Sequence, residues 1–188
     1  PSTVFFDEID SVASQRGGSN ENEASRRMKA QLLTKLEGID SASNENGTMS
    51  VFVLAATNFP WDLDEALLRR FQKRIYIPLP DIEGRLAILK MHLSDMVDDQ
   101  FDLQKWAEQL EGYSCADITN LCRDAAQAVF EKQIEQIDPD DWANMNPEDA
   151  KVIIHEDDFA KAVSLRKSSV DASSLKKYEE WRLTKGAE

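Results

Sequence analysis

An apolar, β-prone run, Thr3-Val4-Phe5-Phe6, ends directly in a cluster of acids, Asp7, Glu8 and Asp10. A strand that delivers two adjacent carboxylates at its C-terminal end carries the groups needed for phosphoryl transfer from a nucleoside triphosphate to water. One carboxylate holds Mg2+, and the other orients or deprotonates the attacking water. Asp7 and Glu8 fit those two roles. Ordinary strands also end in solvated acids, so the pair gains meaning only from the residues around it.

The elements that must position this pair follow from hydrophobic periodicity. The opening run predicts a buried strand. Ser14 to Asn22 is a Gly-, Ser- and Asn-rich loop containing Arg16, Gly17 and Gly18, and Glu23 to Leu36 repeats apolar residues at helical spacing. Gly38 is expected to stop that helix, with a polar loop over 40–48. Ser50 to Ala56 is a continuous apolar run of strand length that predicts a central parallel strand, and it ends at Thr57-Asn58. Standing alone, Asn58 reads as a turn residue before Phe59-Pro60. A short helix from Asp64 to Arg70 ends in two cations, Arg69 and Arg70, which the helix dipole favours there. Arg74 to Ile77 is then expected as a third strand, closed by Pro78 and Pro80.

Beyond Pro80 the pattern is helical. Helices are expected at 81–93, 103–110 and 116–133, the last with Ser114 as N-cap, then near 156–163 and 172–182. A Pro- and acid-rich connecting insertion fills 138–150. Alternating strands and helices followed by helices alone predict an α/β sheet with a small helical satellite.

Composition narrows the function. The chain has 188 residues and a formal net charge of −13, which argues against a nucleic-acid coat. No apolar run is long enough to span a bilayer, and no signal peptide opens the chain, so an intracellular setting is expected. Cys115 and Cys122, with no His pair nearby, are expected to be reduced packing residues and not a zinc site.

Four stretches occur in an order that resembles one family: Phe5-Phe6-Asp7-Glu8-Ile9-Asp10-Ser11, Ala55-Ala56-Thr57-Asn58, Leu67-Leu68-Arg69-Arg70-Phe71 and Gly112-Tyr113-Ser114-Cys115-Ala116-Asp117-Ile118. They resemble the AAA ATPases over nearly the whole chain. The likeness is to their meiotic group, which holds katanin, spastin, fidgetin and the ATPase that disassembles ESCRT polymers. Glu23-Ala24-Ser25-Arg26-Arg27, Asn58-Phe59-Pro60-Trp61-Asp62-Leu63-Asp64-Glu65-Ala66, and Ser168-Ser169-Val170 leading to Tyr178-Glu179-Glu180-Trp181 lean towards the katanin catalytic subunits.

That resemblance implies roles. Asp7 and Glu8 become the Walker B pair, with Asp7 on Mg2+ and Glu8 activating water. Asn58 becomes the sensor of the γ-phosphate or the water. Arg69 and Arg70 become arginine fingers that reach the nucleotide of a neighbouring subunit; Leu68 stands where the family often has a further arginine. Arg16, Gly17, Gly18 and Glu23 resemble a pore loop that grips polypeptide, with Arg26, Arg27 and Lys29 behind it as a basic lining for glutamate-rich tubulin tails. Cys115 and Ala116 occupy nucleotide-contacting positions, although Cys115 replaces the usual Gly and its side chain would crowd the base or ribose. Asp117 stabilises a helix start, and Tyr178 and Trp181 pack the C-terminal helix.

The implied architecture is the C-terminal half of a AAA P-loop sheet over 1–80, a helical lid over 81–166 and a C-terminal helix over 167–188. The implied parent is a hexameric, ATP- and Mg2+-dependent motor. It severs microtubules in the cytoplasm, at the cytoskeleton and spindle, and its partners are tubulin and a katanin regulatory subunit. ESCRT polymer disassembly, or a non-enzymatic subunit that binds and regulates full-length rings, are the alternatives.

The sequence contains no Gly-x-x-x-x-Gly-Lys-Ser/Thr segment, so the backbone cradle and lysine that hold the β- and γ-phosphates are not among its residues. The chain is therefore expected to be the C-terminal part of such an ATPase. Titration calorimetry of this chain with ATP and Mg2+ is expected to show no submicromolar binding, and a phosphate-release assay no turnover above background. Measurable turnover would remove the need for a phosphate loop.

Overall fold

The computed structural model describes residues 2–13, 23–45, 51–135 and 151–186. They divide into two compact units. The first comprises Pro1–Tyr76 with Lys177–Glu188, and the second Ile77–Lys176.

In the first unit, β1 (Ser2–Phe6) lies parallel to β2 (Val51–Ala55), with Ser2 opposite Val51 and Phe6 opposite Ala55. A parallel pair needs a long crossover. Here it contains α1 (Asp10–Ala13) and α2 (Glu23–Glu45). Side chains alternate across a strand, and Phe6, Val53 and Ala55 face a core of Ile9, Leu36, Leu63, Leu67 and Leu68, joined by Leu32, Leu33, Phe71 and Trp181. Phe5, Phe52 and Leu54 are exposed. The expected burial of β1 therefore fails, because among the described residues nothing covers that face.

Two further expectations are corrected. Gly38 does not end its helix, since α2 runs on to Glu45; one glycine in a helix interior costs only about 1 kcal/mol. Residues 74–77 form no strand: Ile75 and Ile77 are 84% and 85% exposed. A strand is held by a neighbour that takes its N–H and C=O groups, and the described residues supply none there. Among the described residues the sheet accordingly has only the β1–β2 pair. After β2, a 3-10 turn (Pro60–Asp62) leads to α3 (Glu65–Arg70), whose first turn is capped by the Asp64 side chain accepting from Ala66 N at 2.8 Å. The last helix, α8, spans Ala172–Lys185.

The second unit is helical: α4 (Ile82–Leu93), α5 (Leu103–Gln109), α6 (Cys115–Glu135) and α7 (Glu156–Leu165), with a parallel bridge between Val97 and Ile154. Asp81 and Asp102 cap α4 and α5 through Gly84 N and Lys105 N. The core gathers Leu89, Leu93, Leu110, Ile118, Leu121 and Phe159, and the Phe159 ring meets Phe101 and Trp106 edge to face at 5.5 and 5.0 Å. Cys122 is buried in this core, which pushes its thiol up to about 12 and leaves it an inert packing group. Cys115 is exposed, so the packing role expected for it does not hold. The insertion expected at 138–150 lies outside the described residues.

Ser114 and Asp117 form a reciprocal cap at the start of α6. Asp117 accepts from Ser114 N at 3.0 Å and Ser114 Oγ at 2.8 Å, while Asp117 N donates back to Ser114 Oγ at 3.1 Å. The same carboxylate accepts from Ser169 N and Oγ at 3.3 and 3.0 Å, so it also fastens the segment before α8 within this unit. Burial pushes Asp117 up, but the bonds from Ser114 and Ser169 outweigh it and hold the carboxyl below its ordinary value. A depressed carboxylate contributes stability that is full above the unfolded pKa and is lost as pH falls through the folded one. Asp117→Ala is thus expected to destabilise the second unit by about 2 kcal/mol at neutral pH. Its unfolding in urea should also respond less to acidification below about pH 4. An unchanged midpoint in urea would show that the cap adds nothing.

Candidate functional site

The two strand ends are locked together. Ala56 N donates to Phe6 O at 2.8 Å and Ile9 N to Ala56 O at 3.1 Å, so Ala56 holds the residues on either side of Asp7-Glu8, and this backbone pairing ends where Thr57-Asn58 begins. Ligands of open parallel sheets bind beyond such carboxyl ends.

At the end of β1 the backbone turns sharply. Asp7 Oδ1 accepts from Glu8 N at 2.9 Å, Glu8 O accepts from Ser11 N at 2.9 Å, and Glu8 has φ 47°, the left-handed region. Glu8 is the non-glycine residue with positive φ among the described residues. A side chain in that region carries about 1 kcal/mol of strain, and such residues gather at functional sites. Both carboxylates are exposed.

At the end of β2, Thr57 Oγ1 donates to Asp10 Oδ1 at 2.5 Å and accepts from Phe59 N at 3.0 Å. One hydroxyl thus ties the turn containing Asn58 to the acidic segment. Asn58 is exposed, and its carbonyl accepts from Tyr178 Oη at 2.5 Å. Asp10, Thr57 and Tyr178 were not among the sequence-predicted site residues, although Asp10 stood out as the third acid and Thr57 as the neighbour of Asn58.

The last turn of α3 carries the two arginines in different settings. Arg69 is exposed and lies 3.7 Å from Glu65 on its own helix. Glu65 also pairs with Lys185 at 3.0 Å, and that hydrogen bond, then the charges of Lys185 and Arg69, hold its carboxyl below the usual range. Arg70 is half-buried, pairs with Glu37 of α2, and keeps a buried Nε that no acceptor among the described residues meets. Arg74, expected from the sequence only as the start of a strand, closes this helix end by donating to Leu68 O at 2.8 Å and Phe71 O at 3.3 Å.

Of the expected polypeptide-gripping loop, Arg16, Gly17 and Gly18 lie outside the described residues. Glu23 is exposed and pairs with Arg27 at 2.6 Å. Lys29 is only 5% exposed, so it does not belong to a solvent-facing basic lining; Arg27 is exposed. Cys115 and Ala116 belong to the second unit, at the start of α6. Among the described residues no group of three or more His, Cys, Asp or Glu is placed to hold a metal ion, and no helix is long and apolar enough to cross a membrane.

Comparison with known proteins gives matching answers over both units. Residues 1–79 match the family model "ATPase family associated with various cellular activities (AAA)", and residues 100–144 match the AAA+ lid domain. The chain is 46% identical over 189 residues to the A-like 1 form of the katanin p60 ATPase-containing subunit from Homo sapiens, covering 100% of this chain and 39% of the relative. It is likewise 46% identical over 183 residues to the counterpart from Danio rerio, covering 96% and 38%. The chain thus spans less than half the length of these curated relatives. Among solved structures, the FIGL-1 AAA domain in complex with ADP superposes with a TM-score of 0.80 at 37% identity, over 100% of this chain and 59% of that one. A second structure of the FIGL-1 AAA domain gives 0.78 at 36% identity, over 98% and 57%.

Thr57→Val removes the donor to Asp10 and the acceptor for Phe59 N while keeping the side-chain shape. It is expected to destabilise the first unit by about 1–2 kcal/mol, with Thr57→Ser close to the parent. Urea denaturation checks this; equal stability of the valine variant would show that the hydroxyl link is energetically idle.

Proposed function

The chain belongs to the AAA ATPase family, and from that premise we propose that it forms the Walker B, sensor and arginine-finger part of an ATP-hydrolysing ring that severs microtubules. The observation that carries the reading is the convergence of Asp7-Glu8 and Thr57-Asn58 at the locked carboxyl ends of two parallel strands.

In this reading Glu8, held in the left-handed backbone region, takes a proton from the attacking water or orients it. Asn58 donates its amide to the γ-phosphate or to the same water. Asp7 suits Mg2+, because an exposed carboxylate with one oxygen already oriented by Glu8 N offers the hard oxygen donor that this cation prefers. When bound with nucleotide, Mg2+ would supply neutralisation of phosphate charge. Cys115 and Ala116 are the further nucleotide contacts of this reading, and the ADP in the complex of the FIGL-1 AAA domain supports the ligand class.

Arg69 and Arg70 act across a subunit boundary on the neighbouring nucleotide. Arg69 suits that role directly, being exposed and held only by an i,i+4 pair. Arg70 must first exchange its pairing with Glu37 for phosphate. In this reading Arg16, Gly17, Gly18 and Glu23 serve to grip tubulin tails. The partners of this reading are further ring subunits and a katanin regulatory subunit, on cytoplasmic microtubules. Similarity to the katanin subunits over the whole chain supports that substrate class.

The test uses the protein extended upstream through a phosphate-binding loop. Glu8→Gln is expected to keep ATP affinity and lower turnover by at least about a hundredfold. Arg69→Ala with Arg70→Ala is expected to lower it by about three to five orders of magnitude, again with binding intact. Mixing the two variants should restore limited ATPase activity at interfaces where each supplies what the other lacks. Mixed rings that stay inactive would count against fingers acting in trans, and normal hydrolysis by Glu8→Gln would overturn the catalytic assignment.

A further inference from the structure

The C-terminal helix touches the candidate site through one polar contact and a set of aromatic ones, all within the first unit. Tyr178 Oη donates to the Asn58 carbonyl at 2.5 Å. Its ring lies 4.9 Å from that of Trp61 and 6.4 Å from that of Tyr76, and Trp61 meets Phe59 edge to face at 6.1 Å. Lys177 Nζ stands 3.8 Å over the Trp61 ring. One turn on, Trp181 packs against the core formed with Leu63, Leu67 and Leu68. The ring positions of α8 are therefore fixed by packing on the 3-10 turn and on α3, which leaves the Tyr178 hydroxyl little freedom over where it points.

We propose that Tyr178 is a positioning residue for hydrolysis: its hydroxyl holds the peptide of Asn58 so that the Asn58 side chain meets the reacting phosphate or water. This rests on the sensor assignment made above. On its other side the Asn58 turn is held by Thr57 Oγ1, between Asp10 and Phe59 N. A second hold at the Asn58 carbonyl, from a different part of the chain, fixes the rotation of the peptide that a single hold leaves free. Burial, then the neighbouring Tyr76 and Asp10, push the phenol above its ordinary value, so it stays protonated and able to donate at any physiological pH. A merely structural tyrosine could keep its ring contacts without this bond, and Phe would serve it equally well.

Tyr178→Phe keeps the rings stacked and deletes only the donor. In the protein extended through a phosphate-binding loop, kcat is expected to fall about tenfold, the change that follows from one misplaced hydrogen bond. KM for ATP should change less than about twofold, and the thermal midpoint should stay within about 2 °C of the parent. An unchanged kcat overturns the proposal, and so does a loss in which KM and the thermal midpoint move together with kcat, since that is the signature of general loosening. Asn58→Ala in the same protein separates the two layers. Normal turnover there removes the sensor role itself, whereas a large loss there beside an unaffected Tyr178→Phe removes only the role of Tyr178.

Discussion

The hydrogen bonds that carry the β1–β2 ladder past its ends, Ala56 N to Phe6 O and Ile9 N to Ala56 O, are the contacts on which the site depends. Each uses a backbone group that would otherwise lie unpaired at a strand terminus, where pairing is worth about 1 kcal/mol and orphaning costs more. Because both strands run the same way, their last residues arrive side by side. Asp7-Glu8 and Thr57-Asn58 become neighbours through backbone geometry alone, although nearly the whole crossover separates them in sequence. The side-chain link from Thr57 to Asp10 then fixes the two turns against each other.

Around that junction the first unit is organised by capping and charge. Asp64 starts α3 and Arg74 finishes it, so the helix is short but has both ends satisfied. The two arginines in its last turn sit in different surroundings. Arg69 shares Glu65 with Lys185, an exposed arrangement from which it leaves easily, while Arg70 is drawn inward by Glu37. The second unit reaches order differently, through an aromatic and aliphatic core around Phe159 and a carboxylate, Asp117, that serves a helix start and a distant serine together.

Much of this was legible in the sequence. Apolar runs closed by Asp7-Glu8 and Thr57-Asn58 marked both strands, helical spacing marked the helices, and Ser114 with Asp117 marked a cap. The misses have physical causes. Strand pairing is a non-local property, so 74–77 has β-prone residues but no described partner, and the apolar side chains of β1 say nothing about what covers them. Gly38 looked like a stop, yet the cost of one glycine is small against the bonds of a long helix. Lys29 sits inside a charged stretch, and its burial follows from the face it occupies, which charge alone does not reveal. The bonds from Tyr178 to Asn58 and from Arg70 to Glu37 join residues far apart in the chain, and local patterns carry no trace of them.

The exposed face of the sheet has a colloidal meaning. Phe5, Phe52 and Leu54 stand on one side of a parallel pair, and Ile75 and Ile77 add exposed apolar side chains later in the sequence. Such surfaces bring molecules together. The net charge of −13 keeps them apart by mutual repulsion. The two forces have different ranges, because repulsion between surface charges fades beyond a Debye length of about 8 Å at physiological ionic strength, whereas apolar contact strengthens in excluded salts. Among the described residues, then, an acidic chain carries an apolar patch, and ionic strength weighs the two against each other.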